Sequence, residues 1–239
     1  MTNPRARGTL DRRDFFRLSL LTPAALLVAS GCENRAAQSA LGRLAHANDW
    51  LGEKLVTPSR LAPVYAESAR TRSFPVYHRS REVPLLSDLG AWRLVVDGLV
   101  RSPLHLTQEF LHALPHVTYT VKHHCVEGWT AVASWGGVPL SSVMTLAGVK
   151  PEARYVRFES FDSGYFTSWD LATAAHPQSI LADHFNGSPL APDHGAPLRV
   201  YSPLKLGYKN IKYLTRLTFA DQRPGGYWED KGYPWLGGI

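Results

Sequence analysis

The chain has 239 residues, enough for one large domain with appendages. With 44% hydrophobic and 19% charged residues it has the composition of a globular protein with a proper core, which excludes intrinsic disorder. The net charge of +6 is concentrated at the N-terminus, where Arg5, Arg7, Arg12, Arg13 and Arg17 outweigh Asp11 and Asp14. The remainder holds no Lys/Arg run of the kind that binds nucleic acid.

Residues 1–31 read as a targeting segment. In DRRDFFRLSLLTPAALLVASGC, Arg12 and Arg13 precede Phe15, Phe16 and Arg17, and a mildly apolar run follows from Leu18 to Ser30. The run is too short and too rich in Ala and Ser for a membrane span, and it predicts a signal peptide. The arginine pattern resembles a twin-arginine export signal, with an ordinary secretory signal as the alternative. LVASGC resembles a lipoprotein signal that would acylate Cys32. The expected location is periplasmic or exported, with a lipid anchor through Cys32 as a further option. Cleavage before Cys32 or its acylation leaves Cys125 as one free thiol without a disulfide partner.

Residues 32–73 read as a tether, with an amphipathic helix expected in ALGRLAHANDWLGEKL. Residues 74–239 read as one continuous domain. WRLVVDGLV (92–100) alternates like a strand, and LTQEFLHAL (106–114) predicts a short helix capped at Thr107. VTYTVKHHC (117–125) predicts a strand running into the cysteine, and PLSSVMTLAG (139–148) a helix ending at Gly148. Further strands are expected at 154–161, 197–203 and 211–220, with a short helix at DLATAAH and a turn at Asn186-Gly187. Strands and short helices without a βαβ rhythm predict an α+β fold.

Four readings compete for Cys125. A lone cysteine is most often a small core hydrophobe. A nucleophilic thiol would need His123, which shares its strand face, whereas His124 points away. A zinc site finds too few ligands around it. The fourth reading is a thiolate on a metal whose remaining ligands come from a cofactor.

HCVEGWTAVASWGGVPL (124–140) resembles the molybdenum-cofactor motif of the sulfite oxidase superfamily, in which one cysteine is the only protein ligand to molybdenum. The resemblance runs from about Phe74 to Ala220. It implies a molybdopterin-dependent oxidoreductase of the α+β sulfite oxidase type, with molybdenum-molybdopterin as cofactor and Cys125 as metal ligand. Matching segments assign Tyr77 and His78 (FPVYHRS), Ser160 or Asp162 (FESFDSGYFTS), His194 and Arg199 (APDHGAPLRVYSP), and Asn210, Ile211 and Lys212 (LGYKNIKYL) to the cofactor. Tyr165 falls where sulfite-oxidising members carry an active-site tyrosine. The first loop departs from relatives, which carry Asn or Glu there. Trp129 and Trp135 are expected to pack around the cofactor.

The implied chemistry is two-electron oxygen-atom transfer on a small oxo-anion or sulfoxide. No haem motif is present, so electrons would pass through a separate partner, a cytochrome or membrane haem protein. In size and export the chain is similar to the superfamily's periplasmic methionine-sulfoxide reductase branch. Two other classes stay open: a non-catalytic lipid-anchored cofactor-binding module, and a cysteine-nucleophile hydrolase.

Overall fold

A computed structural model describes residues 60–239. The signal segment, Cys32 and the expected amphipathic helix lie outside the described residues.

The architecture is α+β, two five-stranded sheets with three short helices. In chain order these are β1 (Leu94–Gly98), β2 (Leu104–Leu106), α1 (Gln108–His112), β3 (Val117–His124) and β4 (Thr130–Pro139). Next come α2 (Leu140–Ala147), β5 (Tyr155–Ser160), β6 (Phe166–Asp170), α3 (Leu171–Ala174) and β7 (Ile180–Phe185). The last strands are β8 (Ser188–Pro189), β9 (Arg199–Tyr201) and β10 (Leu214–Ala220). One sheet has the order β2-β1-β10-β5-β6, and the other runs β3-β4-β7-β8 with β9 also paired to β7.

Local chemistry sets the elements that the sequence predicts. Thr107 caps α1 by accepting from Phe110 N at 3.1 Å, and Asp170 caps α3 by accepting from Thr173 N at 2.7 Å. Helix α2 ends at Gly148 and buries Leu140, Val143, Met144 and Ala147. Their partners include Leu94, Val96, Phe158, Trp169, Leu217 and Phe219, all within the same core. β1 and β10 pair in parallel, Val95 opposite Arg216. On that pair the Asp97 carboxylate accepts from Arg216 at 2.5 Å and from Thr218 at 2.7 Å.

Five strands go beyond the sequence reading: β2, β4, β6, β7 and β8. β4 and β7 lie inside their sheet, and their central residues are buried on both faces. A strand buried on both sides loses the polar alternation that marks it in sequence.

Residues 60–73 lie along the second sheet. Tyr65 N donates to Thr120 O at 2.8 Å and Thr71 N to Val132 O at 2.9 Å. Among the described residues no helix is long and apolar enough to cross a membrane.

At the far end of β7, buried Asp183 takes His116 Nε2 at 2.9 Å, His112 Nε2 at 3.3 Å and His184 Nδ1 at 2.7 Å. His116 Nδ1 also faces the Leu114 carbonyl at 2.8 Å, so both ring nitrogens face acceptors and the ring satisfies them only as imidazolium. Burial lowers the His116 pKa, but the Asp183 hydrogen bond and the Leu114 carbonyl outweigh it and raise the net value. A raised histidine pKa stabilises the fold below the unfolded value and loses that contribution as pH rises through the folded value. Thermal melts of wild type and His116→Gln should therefore differ most near pH 6 and converge above about pH 8, with a gap of about 1 kcal/mol or less because the ring is partly exposed.

Candidate active site

The strand that ends in the cysteine places the pocket. β3 alternates, so buried His123 faces the interior while His124 turns to the other side. Cys125 sits one residue past β3, held by its N–H to Trp129 O at 3.0 Å and by Gly128 N to its own carbonyl at 3.1 Å. It opens into a cavity of about 200 Å³ lined by parts of six segments of the chain. Of the sequence-assigned residues, Tyr77, His78, Cys125, Asp162, Tyr165, His194, Arg199, Asn210 and Lys212 line this cavity.

Two assigned residues stand elsewhere. Ile211 is fully buried in the main core, because the β9–β10 connection turns its side chain away from the pocket. Ser160 lies behind the wall, where its Oγ accepts from Asp162 N at 2.9 Å. Of the alternatives Ser160 and Asp162, the carboxylate faces the pocket and the hydroxyl orients its backbone. Asn210 reaches the cavity, yet its amide is engaged locally, accepting from Ser202 N at 2.9 Å and donating to Lys205 O at 3.2 Å.

The cations form the most charged part of the site. Arg199 is 4% exposed and donates to His194 O at 3.0 Å and Asn210 O at 2.7 Å. Among the described residues its Nε has no hydrogen-bond partner, nor has His123 Nδ1. Lys212 Nζ donates to Tyr77 O at 2.9 Å and Asp193 O at 2.5 Å. Desolvation and the neighbouring positive charges push all of these toward neutrality. Burial, then Arg199, lowers Lys212 to about 7 and His194 to about 4, and burial lowers Arg199 itself to about 10. Burial and Arg199 bring His123 down to about 3. His78 falls through burial and Lys212. Mutually repelling, partly desolvated cations are the signature of a site built for an anion.

Two glycines permit this crowding. A Cβ on Gly195, at φ +105°, would lie 2.7 Å from Lys212 Cβ, and one on Gly207 would lie 2.8 Å from His123 Nε2.

Burial raises the Cys125 thiol pKa. His123 is neutral across the physiological range, so no imidazolium supports a thiolate. The cysteine-nucleophile reading loses its activating base. A metal cation in place of the proton would reverse that balance.

Sequence reasoning passes over several pocket residues. Arg79 pairs with Asp162 through its terminal nitrogen, and its Nε lies 3.3 Å from the same carboxylate. Phe74 is the hub of the aromatic packing, with ring centroids 5.3 Å from His123, 5.7 Å from Trp129 and 5.8 Å from Trp135. Trp135 is fully buried against Tyr201, with centroids 4.4 Å apart, and lies beneath the Arg199 guanidinium at 4.7 Å. Tyr208, Tyr213, Trp228 and Tyr233 complete the lining. Phe74 and Arg79 stand in the FPVYHRS segment, where only Tyr77 and His78 were assigned, whereas nothing in YWEDKGY announced a pocket wall. The spacing His112-x-x-x-His116 is likewise absent from the ligand count around Cys125, and it lies on Asp183, outside this cavity.

A family model for the oxidoreductase molybdopterin binding domain matches residues 80–228. The chain belongs to this family. It is therefore a molybdopterin-binding oxidoreductase, and its fold is of the sulfite oxidase type. It is 41% identical over 232 residues to a putative protein-methionine-sulfoxide reductase subunit, YedZ1, of Azospira oryzae, covering 95% of this chain and 87% of that protein. It is 37% identical to the uncharacterized oxidoreductase YuiH of Bacillus subtilis, over 69% of this chain and 85% of that one. The protein-methionine-sulfoxide reductase catalytic subunit MsrP of Xanthomonas axonopodis pv. citri is 31% identical, over 59% of this chain and 49% of its own length. Among solved structures, the sulfane dehydrogenase SoxCD of Paracoccus pantotrophus matches with a TM-score of 0.55 at 28% identity, over 58% of this chain and 40% of that chain.

The family's pterin phosphate is an anion of the kind the cation cluster lacks, and the partnerless Arg199 Nε fits it. Arg199→Ala and Lys212→Ala should each lower cofactor affinity by roughly one to two decades, the value of a charge-assisted hydrogen bond. Because loading precedes catalysis, the loss should appear as apo-protein, read as molybdenum and pterin per polypeptide. Two fully loaded variants would remove these residues from the cofactor site.

Proposed function

We propose that this oxidoreductase is an exported, molybdenum-dependent sulfoxide reductase of the methionine-sulfoxide type, fed with electrons by a separate haem protein. The observation that carries this reading is the joining, in one cavity, of a lone thiol with Lys212 and with a buried Arg199 that has no carboxylate partner among the described residues. Two relatives named as methionine-sulfoxide reductase proteins support the substrate class. The overall change is balanced as sulfoxide plus two electrons and two protons giving thioether plus water. The electrons come from the haem partner.

When bound, the molybdenum-pterin group supplies two-electron oxygen-atom transfer. The residues of the chain do the rest. Cys125 would offer the single protein ligand, fixed by the 125–129 turn. His194, Arg199 and Lys212 would hold the anionic end of the pterin. Tyr77 and His78, on the loop before the family-matched segment, close the cavity over it, with His78 Nδ1 3.1 Å from the Tyr213 hydroxyl. Phe74 and Trp129 exclude water from the thiol side.

Tyr165 is assigned to the substrate. Burial pushes its pKa up to about 12, so the phenol keeps its proton at any working pH and can act only as a hydrogen-bond donor or acceptor. Export follows the twin arginines Arg12 and Arg13, and Cys32 is the acylation site of a lipid-anchored form. The sulfane dehydrogenase match favours a second reading, an oxidative direction on a reduced sulfur compound.

The deciding assay supplies reduced viologen with methionine sulfoxide, and ferricyanide with sulfite, to the purified metal-loaded protein. Turnover of sulfoxide and not sulfite is expected; the reverse result selects the oxidative reading, and inactivity in both selects the binding module. Cys125→Ser should abolish the molybdenum centre while leaving the melting temperature within a few degrees. Tyr165→Phe should retain the metal and lose on the order of 10²-fold in rate, the worth of a donor aimed at developing charge.

The export reading has its own test. Replacing Arg12 and Arg13 by Lys should hold loaded protein in the cytoplasm; normal periplasmic accumulation would point to an ordinary secretory signal.

A further inference from the structure

The cavity has two chemically different walls. One carries the cations just described. The other carries Tyr165, Tyr208, Trp228 and Tyr233. Tyr208, Tyr233 and Trp228 form a continuous aromatic surface, and Tyr165 adjoins it. The Tyr165 hydroxyl lies 3.4 Å from the Tyr208 carbonyl, Tyr208 meets Tyr233 edge-on at 5.4 Å, and Trp228 contacts Tyr233 at 5.3 Å. Tyr227 links the two ends, edge-on to Tyr165 at 5.8 Å and to Trp228 at 5.1 Å.

Charge beside this wall is already matched. Arg79 is paired with Asp162, and fully buried Lys209 with Glu229. Arg199 acts on Tyr165 from the opposite wall, where it is assigned to the pterin phosphate. The wall is also firmly held. Glu229 accepts Thr167 Oγ1 at 2.6 Å as well as Lys209, and Lys205 Nζ donates to Leu236 O at 2.8 Å. Leu206 N donates to Gly237 O at 2.8 Å. Most of this strap lies beyond the family-matched residues 80–228.

We propose that the aromatic wall selects the substrate, receiving the alkyl arms beside the sulfur of a methionyl sulfoxide. The inference rests on the sulfoxide-reductase reading and deepens it. A small inorganic oxyanion has no group to place against four rings and finds its attractive charge already engaged. A thioether or sulfoxide gains from aromatic faces and edges, which favour polarizable sulfur and the methyl groups it carries.

The test uses metal-loaded full chain with N-acetyl-methionine sulfoxide as substrate and N-acetyl-methionine as the titrated product. Trp228→Ala and Tyr233→Ala should keep molybdenum content, raise KM about tenfold and weaken calorimetric product binding about tenfold, one well-made ring contact each. Trp228→Phe should restore KM and binding, because it returns a ring to the wall. Unchanged KM and affinity in both alanine variants would overturn the wall. If Trp228→Ala does not fold, Tyr233→Ala and Trp228→Phe decide the point. A wild type that oxidises sulfite and ignores every sulfoxide would instead refute the underlying reductase reading, and this proposal with it.

Discussion

Arg199 is a buried guanidinium that has two carbonyl acceptors and, among the described residues, no carboxylate within ion-pair distance. Taking a charge out of water is costly unless it is paired, and carbonyl dipoles only partly offset the loss. Its electrostatic field reaches His123, His194 and Lys212 and lowers the affinity of each for a proton. Its stem is fixed by β9, and its plane by the Trp135 ring below. The surrounding fold therefore keeps a strained charge in place, as it does where a pre-set donor array awaits an anion.

The same balance governs the thiol. Burial makes Cys125 a poorer acid than a free cysteine, and burial, with Arg199 adding to it, leaves the His123 imidazole too weak a base to draw off the thiol proton. Hydrolytic chemistry needs a thiolate before the substrate arrives. Metal ligation does not, since the cation displaces the proton as it binds. Burial of the thiol and of its neighbouring imidazole thus favours one of the two readings that the sequence left side by side.

Much of this was legible in the sequence, for specific reasons. Caps and stops such as Thr107, Asp170 and Gly148 are local chemistry, so the helices they bound could be placed. Cys125 and the cation segments carry ordered motifs, so most of the pocket lining could be named before its shape was known. β4 and β7 were hidden because burial on both faces erases their alternation. Ile211 followed a motif onto the core side because neighbouring residues in one loop need not share a face. Trp228 and Tyr233 could not be read at all: an aromatic near a turn looks the same whether it lines a cleft or covers a core. The N-terminal reading concerns residues outside the structure described.

The parallel pairing of β1 with β10 carries a consequence for timing. Asp97 and Arg216, joined across that pair, are 119 residues apart in the chain. A central neighbour of β1 therefore does not exist until nearly the whole domain has been synthesised, and long-range pairing of this kind closes late and slowly. The cations arrive late too, since Arg199 and Lys212 immediately precede β10. A nascent chain offers Cys125 to its surroundings well before it offers the phosphate grip. Loading must then wait for the later segment, and in the interval the exposed thiol is open to oxidation or to the wrong metal.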